Sequence, residues 1–407
     1  MFNKAIKISR TALEGATFVR VLSPTKKAKW VSERFQDMGP TYVKLGQFLS
    51  SRADVVSPEL IEAFKSLQDS SNPLPWEDVD RVIQSNKLGL SIKDIDEKPI
   101  ASASIGQVHR GVLMDGTQVV IKVRRPGIVD DIKKDLEILQ WLTLLLDNVK
   151  GEETRSVLAD IKRMILNETD FEREVRNMKC MKDVYPDILI PEAFTDMCSQ
   201  DIIVMKYVPS TKFSMITKPK AELAYTIMDT FIEQFLQHGL IHGDPHEGNV
   251  AMSSFDENVI VMYDLGHVVR LDASTRSLMK VLVFEMMLEN VDGVVDVMES
   301  MPDIITIIDK TRIKKFVRKY IDYIKTIDVQ LLSSLDSRDG SLPLKFSSTV
   351  FEIVRVFGII EGVCLSLDPD FEYNKVFYKY VDRLVLDRDF LEYKAGKDLE
   401  KLFKWIT

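Results

Sequence analysis

His242-Gly-Asp-Pro-His-Glu-Gly-Asn249 carries an aspartate and an asparagine five positions apart, and Asp264-Leu-Gly266 begins fifteen positions after Asn249. Two carboxylates and one amide at this spacing suit a kinase-type phosphoryl-transfer site. Asp244 would lie beside the nucleophile as base or orienter. Asn249 and Asp264 would give oxygen atoms to Mg²⁺ on nucleotide phosphates, a ligand set that fits a hard cation keeping several waters. Lys122, in Val119-Val-Ile-Lys-Val123, is the candidate for the α- and β-phosphates. A lone strand lysine is normally a solvated side chain. This one alternates with Val and Ile beside a suspected site, which favours function.

Four acids crowd Asn167-Glu-Thr-Asp-Phe-Glu-Arg-Glu-Val-Arg-Asn177. Asp170 and Glu174 are four apart, as are Glu168 and Glu172, so each pair would share a helix face. Taken alone, the cluster is better explained as a solvated acidic face with Arg173 and Arg176 as local partners. Before the hairpin, a protein kinase has Gly-x-Gly-x-x-Gly over the phosphates. This chain has Ala101-Ser-Ala-Ser-Ile-Gly106, a stiffer loop, because alanine restricts φ where glycine does not. No Ala-Pro-Glu segment follows Asp264, and only His267 to Asp272 separate Gly266 from the next helical pattern. That leaves little room for an activation loop or a docked peptide. His238, His242 and His246 recur every fourth position, but Gly243 and Pro245 break any helix there, which argues against a zinc face.

The elements that must position these residues follow from periodicity. Residues 28–69 predict helices, broken at Gly39-Pro40, with Pro58 in a first turn. Ser70–Pro75 is a linker, and 76–88 an amphipathic helix. Ile105–Leu113 and Thr117–Val123 flank Asp115-Gly116, a strong hairpin signal. Helical pattern then runs from about 130 to 182, Asp201–Val208 is strand-like, and Lys220–Gln237 predicts a helix stopped by Gly239. Leu240-Ile241 and Val259–Tyr263 lead as strands into the two site segments. From Ser274 the pattern is helical to the end, with a loop near 333–344. Strands early, helices late and a loop of polar ligands after a long helix make the expected fold class α+β. It would be a bilobal protein-kinase-like fold with a small antiparallel sheet in the N-lobe and a helical C-lobe. The expected parts are a basic segment 1–30, a helical extension 31–95, an N-lobe 96–209 and a C-lobe 210–407.

The 407 residues are 45% apolar, enough for a large core, and no apolar run approaches the length that crosses a bilayer. Leu139–Leu146 and Val281–Leu288 are short and fit buried helix segments. The net charge of −8 argues against nucleic acid as a partner. Residues 1–32 carry seven Lys/Arg against Glu14 alone. Such a stretch suits an anionic membrane surface or organelle targeting, although a solvated basic helix is the plainer reading. Cys180, Cys198 and Cys364 form no Cys-x-x-Cys pair, which fits an intracellular, reducing compartment.

Lys44-Leu-Gly-Gln47, within Gly39–Asp54, resembles the K-x-G-Q signature of the UbiB/ADCK (aarF-domain) atypical kinases. Ala101–His109 is similar to that family's Ala-rich loop, and Val120–Gly127 to its lysine strand. Glu168-Thr-Asp170 resembles its E-x-D signature, and His242–Asn249 with Asp264–Gly266 its catalytic and metal loops. The resemblance implies ATP or ADP with Mg²⁺ as cofactors, and ATPase or lipid and small-molecule kinase activity rather than protein phosphorylation. It also implies a link to coenzyme Q or membrane lipid metabolism, with a lipid or quinone precursor and quinone-biosynthesis proteins as partners. It makes Glu174 the partner of Lys122. It assigns the nucleotide to Ala101, Ser102, Ala103, Ser104 and Lys122, together with Met205 and Tyr207 of the strand leading to the adenine hinge. Glu168 and Asp170 would face the K-x-G-Q helix, whose signature residues are Lys44, Gly46 and Gln47, with Lys44 and Gln47 folded over the site where a protein substrate would otherwise enter. Glu247, Leu265 and Lys206 depart from the family's usual Pro, Phe and acid. Glu247 bears on ion preference; the hinge works through backbone groups, so Lys206 leaves nucleotide binding intact. Many bacterial members end in two transmembrane helices, which this chain lacks, so any membrane contact is expected to be peripheral.

Two other readings share these residues. A small-molecule kinase of the aminoglycoside or choline kinase type has the same His-Gly-Asp loop, but a K-x-G-Q helix would plug its acceptor pocket. A nucleotide-gated scaffold would use the same ligands without turnover.

Overall fold

In the computed structural model, the described residues are 23–50, 56–65, 67, 72–88, 91–146, 151–216, 220–301, 305–326 and 344–372, with isolated pairs beyond. The basic residues 4–20, positions 51–54 of the K-x-G-Q stretch, and most of the expected 333–344 loop lie outside them. The chain divides into two units, Met1–Pro209 with Val261–His267, and Ser210–Ile260 with Val268–Thr407.

Proline opens three helices of the first unit, α1 (Pro24–Met38), α2 (Pro40–Leu49) and α3 (Pro58–Lys65), because its fixed φ and missing N–H suit a first turn. Gly39, at φ 106°, makes the break between α1 and α2. Helix α4 (Trp76–Ser85) buries Val79 and Ile83. Strands β1 (Ile92–Ile95), β2 (Ala101–Ser102), β3 (Gly106–Leu113) and β4 (Gln118–Arg124) follow. The expected hairpin is β3–β4, turned at Gly116 with φ 87°. Alternation in β4 buries Val119, Ile121 and Val123 in one cluster with Val79 and Ile83, which turns Lys122 to the other face.

The helical region expected from about 130 to 182 holds three helices, α5 (Ile128–Leu146), α6 (Gly151–Glu168) and α7 (Phe171–Val184). Asp170 separates α6 from α7. Its carboxylate accepts the Arg173 N–H at 2.8 Å and caps α7. Glu168 and Glu172 therefore share no helix face, and Asp170 stands before α7 rather than on it. Strand β5 (Ile202–Lys206) is the core of the expected 201–208 strand and completes a sheet ordered β1-β3-β4-β5, with β2 on β3. Lys122 is in register with Val108 on one side and Ile203 on the other.

The second unit opens with β6 (Ser210–Thr211) and α8 (Ala221–Glu233), which buries Leu223, Ile227 and Phe231. The expected α-helix to Gln237 stops at Glu233 and continues as a π-helical turn, Gln234–His238. Gly239 ends it at φ 63°, where a Cβ would come within 3.0 Å of the Leu271 carbonyl oxygen. Then come β7 (Leu240–His242), β8 (Val250–Ser253), β9 (Ile260–Met262) and β10 (Val268–Arg270), with β8 paired to β6 and β10 to β7. At Val261 the chain re-enters the first unit. There the Met262 N–H donates to Leu189 O at 3.1 Å, and the Tyr263 hydroxyl to Val208 O at 2.9 Å.

The second unit continues with α9 (Ala273–Met287), α10 (Val291–Glu299), β11 (Ile305–Ile307), α11 (Lys310–Thr326), β12 (Leu344–Phe346) and α12 (Ser348–Leu367). The all-helical expectation after Ser274 misses β11 and β12, which pair antiparallel. Ile305-Thr-Ile307 is β-branched throughout and suits a strand, but three residues are too short to show a period.

Candidate active site

Lys122 and Glu174 meet by construction. Strand β4 fixes the lysine, and the Asp170 cap fixes the first turn of α7, which carries the glutamate. The Lys122 ammonium donates to Oε1 and Oε2 of Glu174 at 2.9 and 2.8 Å. It also lies 3.1 Å from Oδ2 of Asp264, and 5.3 Å above the Phe171 ring. Glu174 is 1% exposed. Burial works against the charged lysine, but the Asp264 and Glu174 carboxylates outweigh it and hold Lys122 above its ordinary range. Burial pushes the Glu174 carboxyl up to about 7, with Lys122 opposing and Asp264 reinforcing the rise.

Asp264 takes a left-handed backbone, φ 46°, uncommon for a residue with a Cβ although aspartate adopts it more readily than most, and local contacts support it. The surroundings here are visible. Leu265 is buried and its carbonyl accepts Asn177 Nδ2 at 2.7 Å; Gly266 N–H bonds to Asp264 Oδ1 at 3.4 Å. A Cβ on Gly266 would sit 3.3 Å from that oxygen and 3.6 Å from Glu174 Oε2, so glycine leaves the space that two carboxylates occupy. The Asp264 side chain remains 48% exposed, which leaves a hard oxygen donor open to a cation.

The Ala-rich loop is clamped by one arginine. Arg125 donates from Nε to Ala103 O at 2.9 Å, and from Nη2 to Ser102 Oγ at 2.9 Å and Asn72 O at 2.8 Å. Ala103 N–H bonds to Gly106 O, Ser104 is buried and Ala101 is exposed. Gly106 is required, since a Cβ there would lie 2.9 Å from Val123 O. Met205 is buried in β5, and beyond it the Tyr207 ring stacks under the Arg110 guanidinium at 4.3 Å.

On α2, Lys44 pairs with Glu168 at 3.0 Å, both largely buried, and Gln47 donates to Leu67 O at 3.4 Å. Gly46 admits close packing, because a Cβ would lie 2.3 Å from a Leu67 methyl. Thr41 fastens α2 to α5 by a 2.8 Å bond to Asp135. Half of the expected E-x-D contact therefore differs. Glu168 meets α2, whereas the Asp170 carboxylate is taken by the Arg173 N–H and by Arg176 at 3.5 Å, through its role as a cap.

In the second unit, Asp244 lies in a loop locked from several sides. Its N–H donates to His242 Nδ1 at 3.2 Å, and its carbonyl accepts Asn249 Nδ2 at 3.0 Å. The π-helical turn places Gln234 so that its Oε1 accepts the His242 N–H at 3.0 Å. Arg355 of α12 donates to Gly243 O at 2.8 Å and to Asp244 Oδ1 at 3.3 Å. His246 Nε2 is 3.7 Å from Asp244 Oδ2. The three histidines stand on three different pieces, the π-helical turn, β7 and the loop. Sequence reasoning missed Asn177, Arg125 and Arg355. Asn177 stands three positions after Glu174 on α7 and was within reach of helical spacing. Arg355, 111 positions from Asp244, gave no local signal.

The model of the ABC1 atypical kinase-like domain matches residues 66–298. The chain belongs to this family. Those residues include Lys122, Glu174, Asp244, Asn249 and Asp264, and leave out Lys44, Gln47 and Arg355. An uncharacterized protein of Synechocystis sp. is 28% identical over 374 residues, 86% of this chain and 64% of that protein. The chloroplastic ACTIVITY OF BC1 COMPLEX KINASE 8 of Arabidopsis thaliana is 25% identical over 439 residues, 94% of this chain and 57% of its own length. The chain thus spans less than two thirds of these relatives. The structure of the Rv3197–erythromycin complex from Mycobacterium tuberculosis matches with a TM-score of 0.58 at 21% identity, covering 80% of this chain and 88% of that one. The structural likeness and the matched domain agree with the kinase-like α+β fold expected from the motifs. Among the described residues, no helix is long and apolar enough to cross a membrane.

Proposed function

We propose that this ABC1-family chain is a Mg²⁺-dependent, ATP-binding atypical kinase or ATPase that acts in isoprenoid quinone or membrane lipid metabolism rather than on proteins. The observation that carries the reading is the Lys122 ammonium held between Glu174 and Asp264. A cation so placed serves the α- and β-phosphates, and its glutamate keeps it charged and aimed. Asp264 and Asn249 are the proposed oxygen ligands of Mg²⁺, and the half-exposed carboxylate of Asp264 fits a hard cation. Mg²⁺, when bound, neutralises phosphate charge. The Ala-rich loop, stiffened by Arg125, is the proposed cover of the phosphates, with Met205 and Tyr207 at the adenine. Asp244 orients the acceptor hydroxyl or a water and takes its proton. Lys44 and Gln47 of α2 are the proposed barrier to a peptide substrate.

The test is nucleotide binding and turnover by the purified full chain. ATP or ADP with Mg²⁺ should raise the melting temperature, and ATP should be hydrolysed. An unchanged melting temperature with either nucleotide counts against the reading. Quinone profiles of cells carrying Lys122→Ala test the metabolic assignment, which an unaltered profile would remove.

A further inference from the structure

Arg355 comes from α12, outside the 66–298 stretch that the family model matches, yet its guanidinium lies on the loop of Asp244. Nη2 alone makes both bonds, to the Gly243 carbonyl at 2.8 Å and to Asp244 Oδ1 at 3.3 Å. The two acceptors are the backbone group just before Asp244 and the carboxylate itself. Together they restrain the peptide plane and the Oδ1 side of the carboxylate. Asn249 Nδ2 on the Asp244 carbonyl and His242 Nδ1 under the Asp244 N–H fix the remaining backbone groups. The helix that carries the arginine is anchored. Ile353 and Val356, on either side of it, are buried, and the Cys364 thiol donates to Ala224 O at 3.3 Å on α8. Asp244 and Arg355 are 29% and 20% exposed, so the pair is desolvated enough to hold its geometry without being sealed from substrate.

We propose that Arg355 is a positioning residue for Asp244, which makes α12 a working part of the phosphoryl-transfer site rather than an appendage to it. The inference rests on the function proposed for Asp244 and assigns that site a cation from the C-terminal part of the chain. A carboxylate free to rotate presents its oxygen to the acceptor in only a fraction of its rotamers, and small misplacements of a reacting group are costly in rate. The arginine restricts that freedom from the Oδ1 side, while His246 Nε2 lies 3.7 Å from Oδ2. Nucleotide affinity is assigned chiefly to Lys122, Glu174 and Asp264, with Asn249 of the Asp244 loop contributing through Mg²⁺, so it should depend on the arginine far less than turnover does.

The experiment uses the full chain and compares Arg355→Ala, Arg355→Lys and Arg355→Met for ATP hydrolysis at saturating Mg²⁺ and for direct MgATP binding. Arg355→Ala should lower kcat by on the order of 100-fold, with a much smaller change in the Kd for MgATP. Arg355→Lys should recover part of the loss, Arg355→Met none, and added guanidinium ion should partly restore Arg355→Ala. Asp244→Ala combined with Arg355→Ala should be no slower than Asp244→Ala alone. Wild-type turnover in Arg355→Ala, or equal losses in kcat and MgATP binding, overturns the inference. If Asp244→Ala keeps full turnover, the proposed role of Asp244 fails first. If Asp244→Ala is inactive and Arg355→Ala is not, only the role of Arg355 fails. Hydrogen exchange decides the matter without turnover. Amides 243–249 should exchange faster in Arg355→Ala than in wild type, and unchanged protection there contradicts the proposal.

Discussion

Both carboxylate oxygens of Glu174 reach the ammonium of Lys122, at 2.9 and 2.8 Å, in a setting where Glu174 is 1% exposed. A pair this buried does two things at once. It keeps the lysine charged for phosphates, and it leaves a severe deficit if either member is removed. Lys122→Ala strands Glu174 and should cost about 3–5 kcal/mol of stability. Lys122→Ala with Glu174→Gln removes both charges and should recover much of it. MgATP affinity should be lost in both. Denaturant melts and binding titrations on the two variants check this.

Gly266→Ala should weaken MgATP binding with little loss of stability. The added methyl would press on Asp264 Oδ1 at 3.3 Å, not on the apolar core, and would meet Glu174 Oε2 at an ordinary 3.6 Å. The check is the same pair of measurements, and an affinity equal to wild type would show that the two carboxylates need no such space.

Much of this arrangement could be read in the chain, and the parts that could not have physical reasons. The β3–β4 hairpin and Lys122 were legible because period-two alternation runs unbroken on both sides of Asp115-Gly116. The break before α7 was not, because Asp170 within an acidic run looks like a helix-face residue until its carboxylate is seen on the Arg173 N–H. The π-helical turn at Gln234–His238 left the apolar spacing of α8 undisturbed, so periodicity had nothing to report. Arg355 needed the fold, since its partner is 111 positions away and neither residue forms a local motif with the other.

Lys44 and Glu168 join α2 to the end of α6 at 3.0 Å, with side chains 12% and 19% exposed. A double-mutant cycle with Lys44→Met and Glu168→Gln should give a coupling of roughly 0.5–3 kcal/mol, as expected for contacting residues. Additive losses would mean that the ion pair does not hold α2.

His109 predicts a pH dependence of stability. It is fully buried. Its Nδ1 faces Asp96 O at 2.8 Å and its Nε2 faces Gln107 Nε2 at 2.8 Å, while Gln107 Oε1 accepts the Leu74 N–H. That chain of bonds needs a neutral ring, and burial holds its pKa below the ordinary value, against a smaller raising effect from the Asp96 carbonyl. The folded state thus binds the proton less readily than the unfolded state. The associated stability is present above the unfolded pKa of about 6.5 and is lost as pH falls through the lower folded value. The melting temperature of His109→Gln should fall less steeply with acidification than that of wild type. Parallel slopes would assign the acid lability to other groups.

The most direct measurement of the central claim is calorimetric titration of MgATP into wild type and Asp264→Asn. The substitution keeps the volume of Asp264 and removes its charge beside Lys122. Saturable, Mg²⁺-dependent binding by wild type, abolished in Asp264→Asn while the melting temperature stays near wild type, is the predicted result. MgATP binding of equal affinity in the two proteins would contradict the account.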